Sequence, residues 1–529
     1  MEAAARTVQF TQQNEEHMYR VGIDVGGTNT DAVLLHGREV VLGIKTATTR
    51  DVTSGVLDAL SRVLRESDVA PSAVGAVMIG TTHFTNAVIE RRELSRVGVL
   101  RLCLPSSADI PPFSGWPADL IETLNPLVRL SAGGHEFDGR EISPLDVASI
   151  RRFADECAQA GIDHIAISGI FSPLAPGQEE RTAEIVRERL PAAHITLSSS
   201  LGNLGMLERE NATILNAALV DLGGRISRAF SDALRATGVS APFFLTQNDG
   251  TLIAAERIAD YPILTVASGP TNSMRGAAFL SGKSDAIVVD IGGTTSDVGM
   301  LQKGFPRMAG VAVELGGVRT NFRMPDVHCI GLGGGSLVDT SARAIGPRSV
   351  GYQLYEKALV FGGDTLTASD IAVAAGIAQF GDSKHVAHLG ADDIRACTQR
   401  MHAMVAAAVD RMRISDAPVP VLLVGGGSVL LDGDVDGLPT MRPPSFNVAN
   451  AVGAAIAQIG CEIDHVYRLE DIGREDAIAD AQARCRKKVL DEGGVAESID
   501  TLNVEETPLA YLPGKATRIR VKMVGDLRL

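Results

Sequence analysis

The sequence predicts an α/β protein of two similarly built lobes with a cleft between them and a small C-terminal extension. Two observations carry this. Strand-like runs alternate with helix-period runs along most of the chain. An eight-residue pattern, Asp24-Val-Gly-Gly-Thr-Asn-Thr-Asp31, also returns as Asp290-Ile-Gly-Gly-Thr-Thr-Ser-Asp297, with five of eight positions identical. A duplication so widely spaced implies two lobes on one plan. The length agrees, since 529 residues are ample for about three or four units of roughly 150 residues each.

Taken in order, residues 1–18 read as a flexible leader. Strands follow at about Tyr19–Val25, Thr30–Leu35 and Glu39–Thr46, punctuated by Gly26-Gly27 and His36-Gly37. A helix at about Thr53–Glu66 places Val56, Leu60, Val63 and Leu64 on one face. Ala76–Gly80 reads as a short buried strand. The N-terminal lobe is set at 19–202. A long helical stretch, Leu204–Ala236, opens the second lobe, 203–460, with Gly223-Gly224 as its expected bend. Ala286–Asp290 and Ser296–Leu301 repeat the opening strands, and Val419–Val424 runs into a triple glycine. Residues 461–529 form the C-terminal extension, with a charged helical segment over Asp464–Glu492 and a strand over Thr517–Val524.

Composition narrows the partners. The net charge of −15 opposes binding to a phosphate backbone, so no nucleic-acid partner is expected. No run of 18 apolar residues occurs, so no membrane span is expected. The first twenty residues are polar and carry no apolar signal segment. The six cysteines are scattered without a CxxC pair, as in a reduced, cytoplasmic protein. Glycine is enriched (55 residues), which suits many tight turns and close approaches to a small polar ligand.

The duplicated pattern suits phosphate chemistry. Diglycine turns let backbone N–H groups approach a phosphate that a β-carbon would keep away. Thr28 and Thr294 offer hydroxyl donors, and Asp24 and Asp290 end the preceding strands, where a carboxylate can hold Mg²⁺ or its waters. Two such loops would clamp a triphosphate from both sides: Gly26, Gly27, Thr28, Asn29 and Thr30 in one, Gly292, Gly293, Thr294 and Thr295 in the other. Asp31 and Asp297 close the loops and are candidates to orient water or Mg²⁺, so Asp24, Asp290, Asp31 and Asp297 form the candidate catalytic set. Gly425, Gly426, Gly427 and Ser428 follow a strand and let the backbone pass close to a ring or sugar, which makes them the candidate adenosine site. There is no GxxxxGK[ST] motif, so this is not a Walker-type loop.

Two phosphate loops and a late glycine loop resemble the actin, sugar-kinase and heat-shock-chaperone ATPase superfamily, whose lobes are ribonuclease-H-like. Finer motifs are similar to those of the hydantoinase A / 5-oxoprolinase family. These are Gly80-Thr81-Thr82-His83-Phe84-Thr85-Asn86-Ala87-Val88-Ile89-Glu90-Arg91, Ser268-Gly269-Pro270, Glu208-Arg209-Glu210-Asn211, Gln247-Asn248-Asp249-Gly250 and Asp326-Val-His328-Cys-Ile-Gly331-Leu-Gly333-Gly334-Gly335-Ser336. The resemblance spans about residues 20–460. It implies an ATP- and Mg²⁺-dependent hydrolase, or the ATP-binding subunit of one, that opens a cyclic amide or imide by phosphorylating the amide oxygen. It also implies a B-type partner subunit or other homo- or hetero-oligomer, and it assigns Thr81, Thr82, Asn86, Glu208 and Arg209 to the substrate side. The alternatives are a small-molecule kinase of the same superfamily and the ATP-binding subunit of a ketone carboxylase.

Asp326 and His328 stand two apart, on one face of a strand. With His83 and His135 they form a candidate site for a second divalent metal, Zn²⁺ or Mn²⁺. His83 departs from the family pattern, where an apolar residue is common, and so marks a subfamily feature.

Overall fold

The computed structural model describes residues 18–26, 29–47, 52–202, 204–309, 313–322, 324–415, 417–510 and 512–529. The expected leader, save Met18, and the loop residues Gly27 and Thr28 lie outside them. The opening runs do form a meander: Tyr19–Val25 pairs antiparallel with Asn29–His36, and that strand with Glu39–Ala47. Val74–Thr81 joins Tyr19–Val25 on its other side, in parallel. Phe243–Thr246, Thr251–Ala254, Gln458–Arg468, Ala516–Gly525 and Asp500–Pro508 extend this row into a nine-stranded sheet.

The second sheet starts from the repeated motif. Ala286–Ile291 pairs antiparallel with Ser296–Gln302 and parallel with Val421–Val424. Phe305–Pro306 and Thr440–Met441 form its edges, and Val327–Ile330 adds to Ser296–Gln302. Each lobe therefore opens on the same unit: an antiparallel hairpin with a parallel strand beside its first arm. The mixed α/β, two-lobed plan expected from the duplication is the one observed. A third, all-parallel sheet of Leu127–Ala132, Val97–Leu104, His164–Gly169 and His194–Leu197 lies within the N-terminal part, packed by the helices Val147–Ala160 and Gly177–Arg189.

The cores follow the apolar periodicity. Val21, Ile23, Val77 and Ile79 of the first sheet share one cluster with Leu60 and Val63 of the helix Val52–Ser67 and Leu215, Leu219 and Leu222 of the helix Met206–Thr237. Ile287, Val289 and Ile291 pack with Met401, Val405 and Val409 of the helix Ala391–Met412. Each such side chain contributes about 1.5–3 kcal/mol by leaving water.

Three expectations need correction. The long helix runs unbroken from Met206 to Thr237. Its Gly223 instead permits close packing, because a β-carbon there would lie 2.8 Å from the Ile258 carbonyl oxygen. The segment from residue 203 does not belong wholly to the second lobe, since this helix and the strands to Ala254 build on the first sheet. Residues 461–529 also complete that sheet. Asp464 lies in the strand Gln458–Arg468, and helix begins only after it, as a short turn at Leu469–Ile472 and then Arg474–Asp491. The reason is apolar cover: Ile519, Val521 and Met523 on the sheet bury against Ala477, Ala481 and Cys485 of that helix.

Candidate functional site

The two motifs fold into the same local device. Gly26 N–H donates to the Asn29 carbonyl at 3.0 Å, and Gly292 N–H to the Thr295 carbonyl at 2.9 Å. These tight turns set Asp24 opposite Asp31 and Asp290 opposite Asp297 in register. A glycine on the parallel neighbour strand, or directly after it, stands beside each aspartate. A β-carbon on Gly80 would fall 2.3 Å from Asp24 Oδ1, and one on Gly425 would fall 2.2 Å from Asp290 Oδ1. Both carboxylates thus lie against bare backbone.

The two devices share one electrostatic environment. Burial, then the charge of Asp31, then that of Asp290 push Asp24 up to about 6, opposed by hydrogen bonds from Asn272 and Asn450. Burial also raises Asp290, which senses Lys45 and Asp31 of the other lobe and hydrogen bonds with Ser273. Asp297 is pushed up to about 6 by burial and by Asp290. Asp31 is raised by burial and held down by Lys45, whose Nζ lies 2.5 Å from Oδ1. A β-carbon on Gly426 of the second lobe would lie 4.0 Å from Lys45 Cε, so this lysine stands where the lobes meet.

Two helices fix the cluster. Asn272, on Ser268–Ser281, donates to Asp24 Oδ1 at 3.3 Å, while its neighbour Ser273 serves Asp290. Asn450, on Ala449–Ala455, donates to Asp24 Oδ2 at 3.0 Å and to Asp31 Oδ2 at 2.9 Å. The helices cross backbone to backbone. β-Carbons on Gly276 or Gly453 would lie 1.8 Å from the carbonyl oxygens of Ala449 and Asn272, respectively. Lys45, Asn272, Ser273 and Asn450 escape sequence reasoning, because a lone polar residue on a strand or helix carries no chemical signature. The Ser268-Gly269-Pro270 motif that opens the first of these helices was the nearest signal.

Both later glycine runs close on the second turn. Gly334 N–H donates to the Gly292 carbonyl at 3.0 Å and Gly335 N–H to the Gly293 carbonyl at 2.7 Å. A β-carbon on Gly333 would lie 2.5 Å from Thr294 N, and one on Gly427 would lie 2.7 Å from the Gly292 carbonyl oxygen. The Ser428 hydroxyl is buried and has no hydrogen-bond partner among the described residues.

The expected substrate residues divide. Thr82 reaches the Val25 carbonyl with both its amide and its hydroxyl, each at 3.3 Å, which sets the Gly80–Thr82 segment beside the first turn. Asn86 follows one helical turn later, its N–H on the Thr82 carbonyl. Glu208 pairs with Arg319 at 3.6 Å and lines a cavity of about 880 Å³ away from the aspartates. Arg209 is fully buried and bonds to the Gly169 and Leu204 carbonyls and the Ser198 hydroxyl, which makes it a brace. Asp249 pairs with Lys522 at 2.9 Å.

The expected second metal set does not assemble. Asp326 is held by Arg307 at 2.6 Å. His83 Nδ1 lies 2.5 Å from the Thr81 hydroxyl, and burial lowers its pKa. His135 is buried, with its N–H on the Ile170 carbonyl. His328 pairs in register with Val298, and burial, then Arg411, lower its pKa. Asp326, His328, His83 and His135 are not gathered into one ligand group among the described residues.

Duplicated aspartate–diglycine turns meeting between two sheets define a two-lobed α/β protein of the actin-like plan. The hydantoinase/oxoprolinase N-terminal region model matches residues 20–190, and the hydantoinase/oxoprolinase model matches residues 209–408. The chain belongs to the hydantoinase/oxoprolinase family. It is 27% identical over 385 residues to caprolactamase subunit alpha of Pseudomonas jessenii, covering 68% of this chain and 55% of that one. It is 26% identical over 397 residues to the acetophenone carboxylase gamma subunit of Aromatoleum aromaticum, covering 69% of this chain and 54% of that one. The chain thus spans about half the length of these two relatives. Its fold is similar to that of the ATP-dependent caprolactamase from Pseudomonas jessenii (TM-score 0.74, 19% identity, 96% of this chain and 88% of that one). It is also similar to acetone carboxylase in its nucleotide-free structure (TM-score 0.68, 18% identity, with the same coverage of both chains). Among the described residues, no helix is long and apolar enough to cross a membrane.

Proposed function

We propose that this chain is an ATP-dependent enzyme, or the ATP-binding subunit of one, that opens a cyclic amide or imide. The observation that carries the reading is the meeting of Asp24 and Asp290 from the two duplicated turns in one buried cluster. Buried carboxylates that repel one another suit a divalent cation, and the glycine-lined turns are cradles that a β-carbon would fill. ATP with Mg²⁺ fits these residues and, when bound, would supply the phosphoryl group that activates the amide oxygen. In this reading Gly26 and Gly292 shape the two turns, and Asp24 and Asp290 hold the cation or its waters. Lys45 adds positive charge between the lobes, and Ser428 offers its buried hydroxyl beside the glycine run of the nucleoside site. The segment from Thr81 to Asn86 adjoins the first turn and faces the amide. The net reaction adds water across the C–N bond and converts ATP to ADP and phosphate.

The similarity to a caprolactamase subunit supports a lactam, and the subunit status of both curated relatives supports a partner chain. A second reading, the ATP-binding subunit of a ketone carboxylase, is favoured by the likeness to the acetophenone carboxylase gamma subunit. The test is ADP release with ATP and Mg²⁺ over a panel of cyclic amides, imides and ketones, with and without a co-purified partner. Ring-opened acid supports the first reading and bicarbonate-dependent carboxylation the second. A stable phosphorylated product would establish a kinase instead.

A further inference from the structure

A second group of ionisable side chains lies at one edge of the four-stranded parallel sheet. His164 and His194 each open a strand, and the parallel register sets them side by side. Their rings stack with centroids 5.3 Å apart at 22°. Asp221 reaches them from the helix Met206–Thr237. His164 is buried, with Nδ1 2.8 Å from Asp163 Oδ1 and Nε2 3.2 Å from Asp221 Oδ1. The other Asp221 oxygen accepts from the Ser95 hydroxyl at 3.0 Å. One ligating atom from each of His164, His194 and Asp221 lies within 4.8 Å of the others.

The surroundings of His164 are those of a metal-binding imidazole. A carboxylate that accepts from the N–H of one ring nitrogen leaves the lone pair of the neutral ring on the other, the nitrogen that binds metal. Here Asp163 Oδ1 stands 2.8 Å from Nδ1, which leaves Nε2 as the nitrogen turned toward His194 and Asp221. That nitrogen is buried and makes no hydrogen bond of acceptable geometry among the described residues, although a carboxylate oxygen stands 3.2 Å away. A cation set between these two atoms would take both as ligands. Tetrahedral zinc with bonds of about 2.0–2.1 Å spaces its ligand atoms about 3.3–3.4 Å apart, so the His164–Asp221 edge already has nearly that length. His194 is exposed and free to swing the remaining distance.

We propose that His164, His194 and Asp221 bind a divalent transition-metal cation of the zinc class, with a fourth position open to solvent. Two imidazoles and a carboxylate suit such an ion better than Mg²⁺ or Ca²⁺, which take mostly oxygen ligands. The ion would pin two strand ends of the small sheet to the long helix, remote in role from the aspartate cluster.

The test uses the full chain, stripped with a chelator and titrated with Zn²⁺ alone, then with Co²⁺ as a coloured probe. One tightly bound zinc per chain, a rise in the unfolding midpoint and visible Co²⁺ bands are expected. His194→Ala and Asp221→Asn alter exposed side chains, so both should fold; each should weaken zinc binding at least tenfold and remove the Co²⁺ bands. Asp163→Asn should weaken it about tenfold through His164. Equal zinc binding by wild type and the His194→Ala/Asp221→Asn double variant would overturn the proposal. So would nitrogen NMR showing both His164 nitrogens protonated in the presence of zinc. Nucleotide binding at the aspartate cluster is scored separately, so this inference stands or falls apart from the proposed function.

Discussion

Gly80 stands where any β-carbon would fall 2.3 Å from Oδ1 of Asp24, and Gly425 repeats the relationship with Asp290 at 2.2 Å. Neither glycine belongs to the Asp-x-Gly-Gly turn; Gly80 sits on the parallel strand beside it, and Gly425 directly follows the corresponding strand of the other lobe. Gly80→Ala and Gly425→Ala should each cost about 1–3 kcal/mol by overpacking and lower ATP turnover at least tenfold. Gly177→Ala, with nothing within 4 Å of the new carbon, is the neutral control. Thermal unfolding and ADP release check all three.

Asp24→Ala and Asp290→Ala should abolish ATP turnover while the protein stays folded, because each removes the carboxylate at the end of the strand that enters its turn. Circular dichroism establishes folding, and ADP release reads the loss. Wild-type turnover in either folded variant would refute the assignment.

Lys45 pairs with Asp31 and lies near the glycine run at Gly426. Lys45→Met should weaken nucleotide binding about tenfold or more, read by titration with a fluorescent ATP analogue. Arg65→Met, which removes a largely exposed arginine, should leave it unchanged.

Arg209 donates to the buried Gly169 carbonyl and Ser198 hydroxyl and to the partly buried Leu204 carbonyl. Arg209→Met should therefore cost about 2–4 kcal/mol of stability by leaving these groups unsatisfied. Once the variant is folded at low temperature, its KM for substrate should be near the wild-type value. A selective rise in KM without loss of stability would restore Arg209 to the substrate side.

Burial, then Asp290, hold the Asp297 carboxyl at about 6, against 3.8 in its ordinary state. The folded protein then binds more protons than the unfolded chain between about pH 4 and 6, so this group's contribution to stability falls as pH rises through that window. A displacement of that size corresponds to roughly 3 kcal/mol. Without nucleotide, Asp297→Asn should be more stable than wild type at pH 7 and close to it near pH 4. Denaturant unfolding across this range measures the difference. A pH-independent gap would mean that Asp297 titrates normally.

The duplicated turns, the two-lobed plan and the family motifs were legible along the chain, because each is a short run of residues whose spacing expresses its chemistry. That spacing singles out Asp24, Gly26, Asp290 and the run at Gly425 as candidates, and the family resemblance adds the run at Gly333. Only the tertiary structure decided which side chains hold the aspartates. Lys45, Asn272, Ser273 and Asn450 come from three distant segments that meet where two helices cross at Gly276 and Gly453. The same holds for Arg209, whose charge reads as a ligand-binding group until packing encloses it. It holds also for the last strands, whose place on the first sheet depends on which apolar face needs cover. Local spacing determines turns and periodicities; long-range burial determines which lone polar residues become partners.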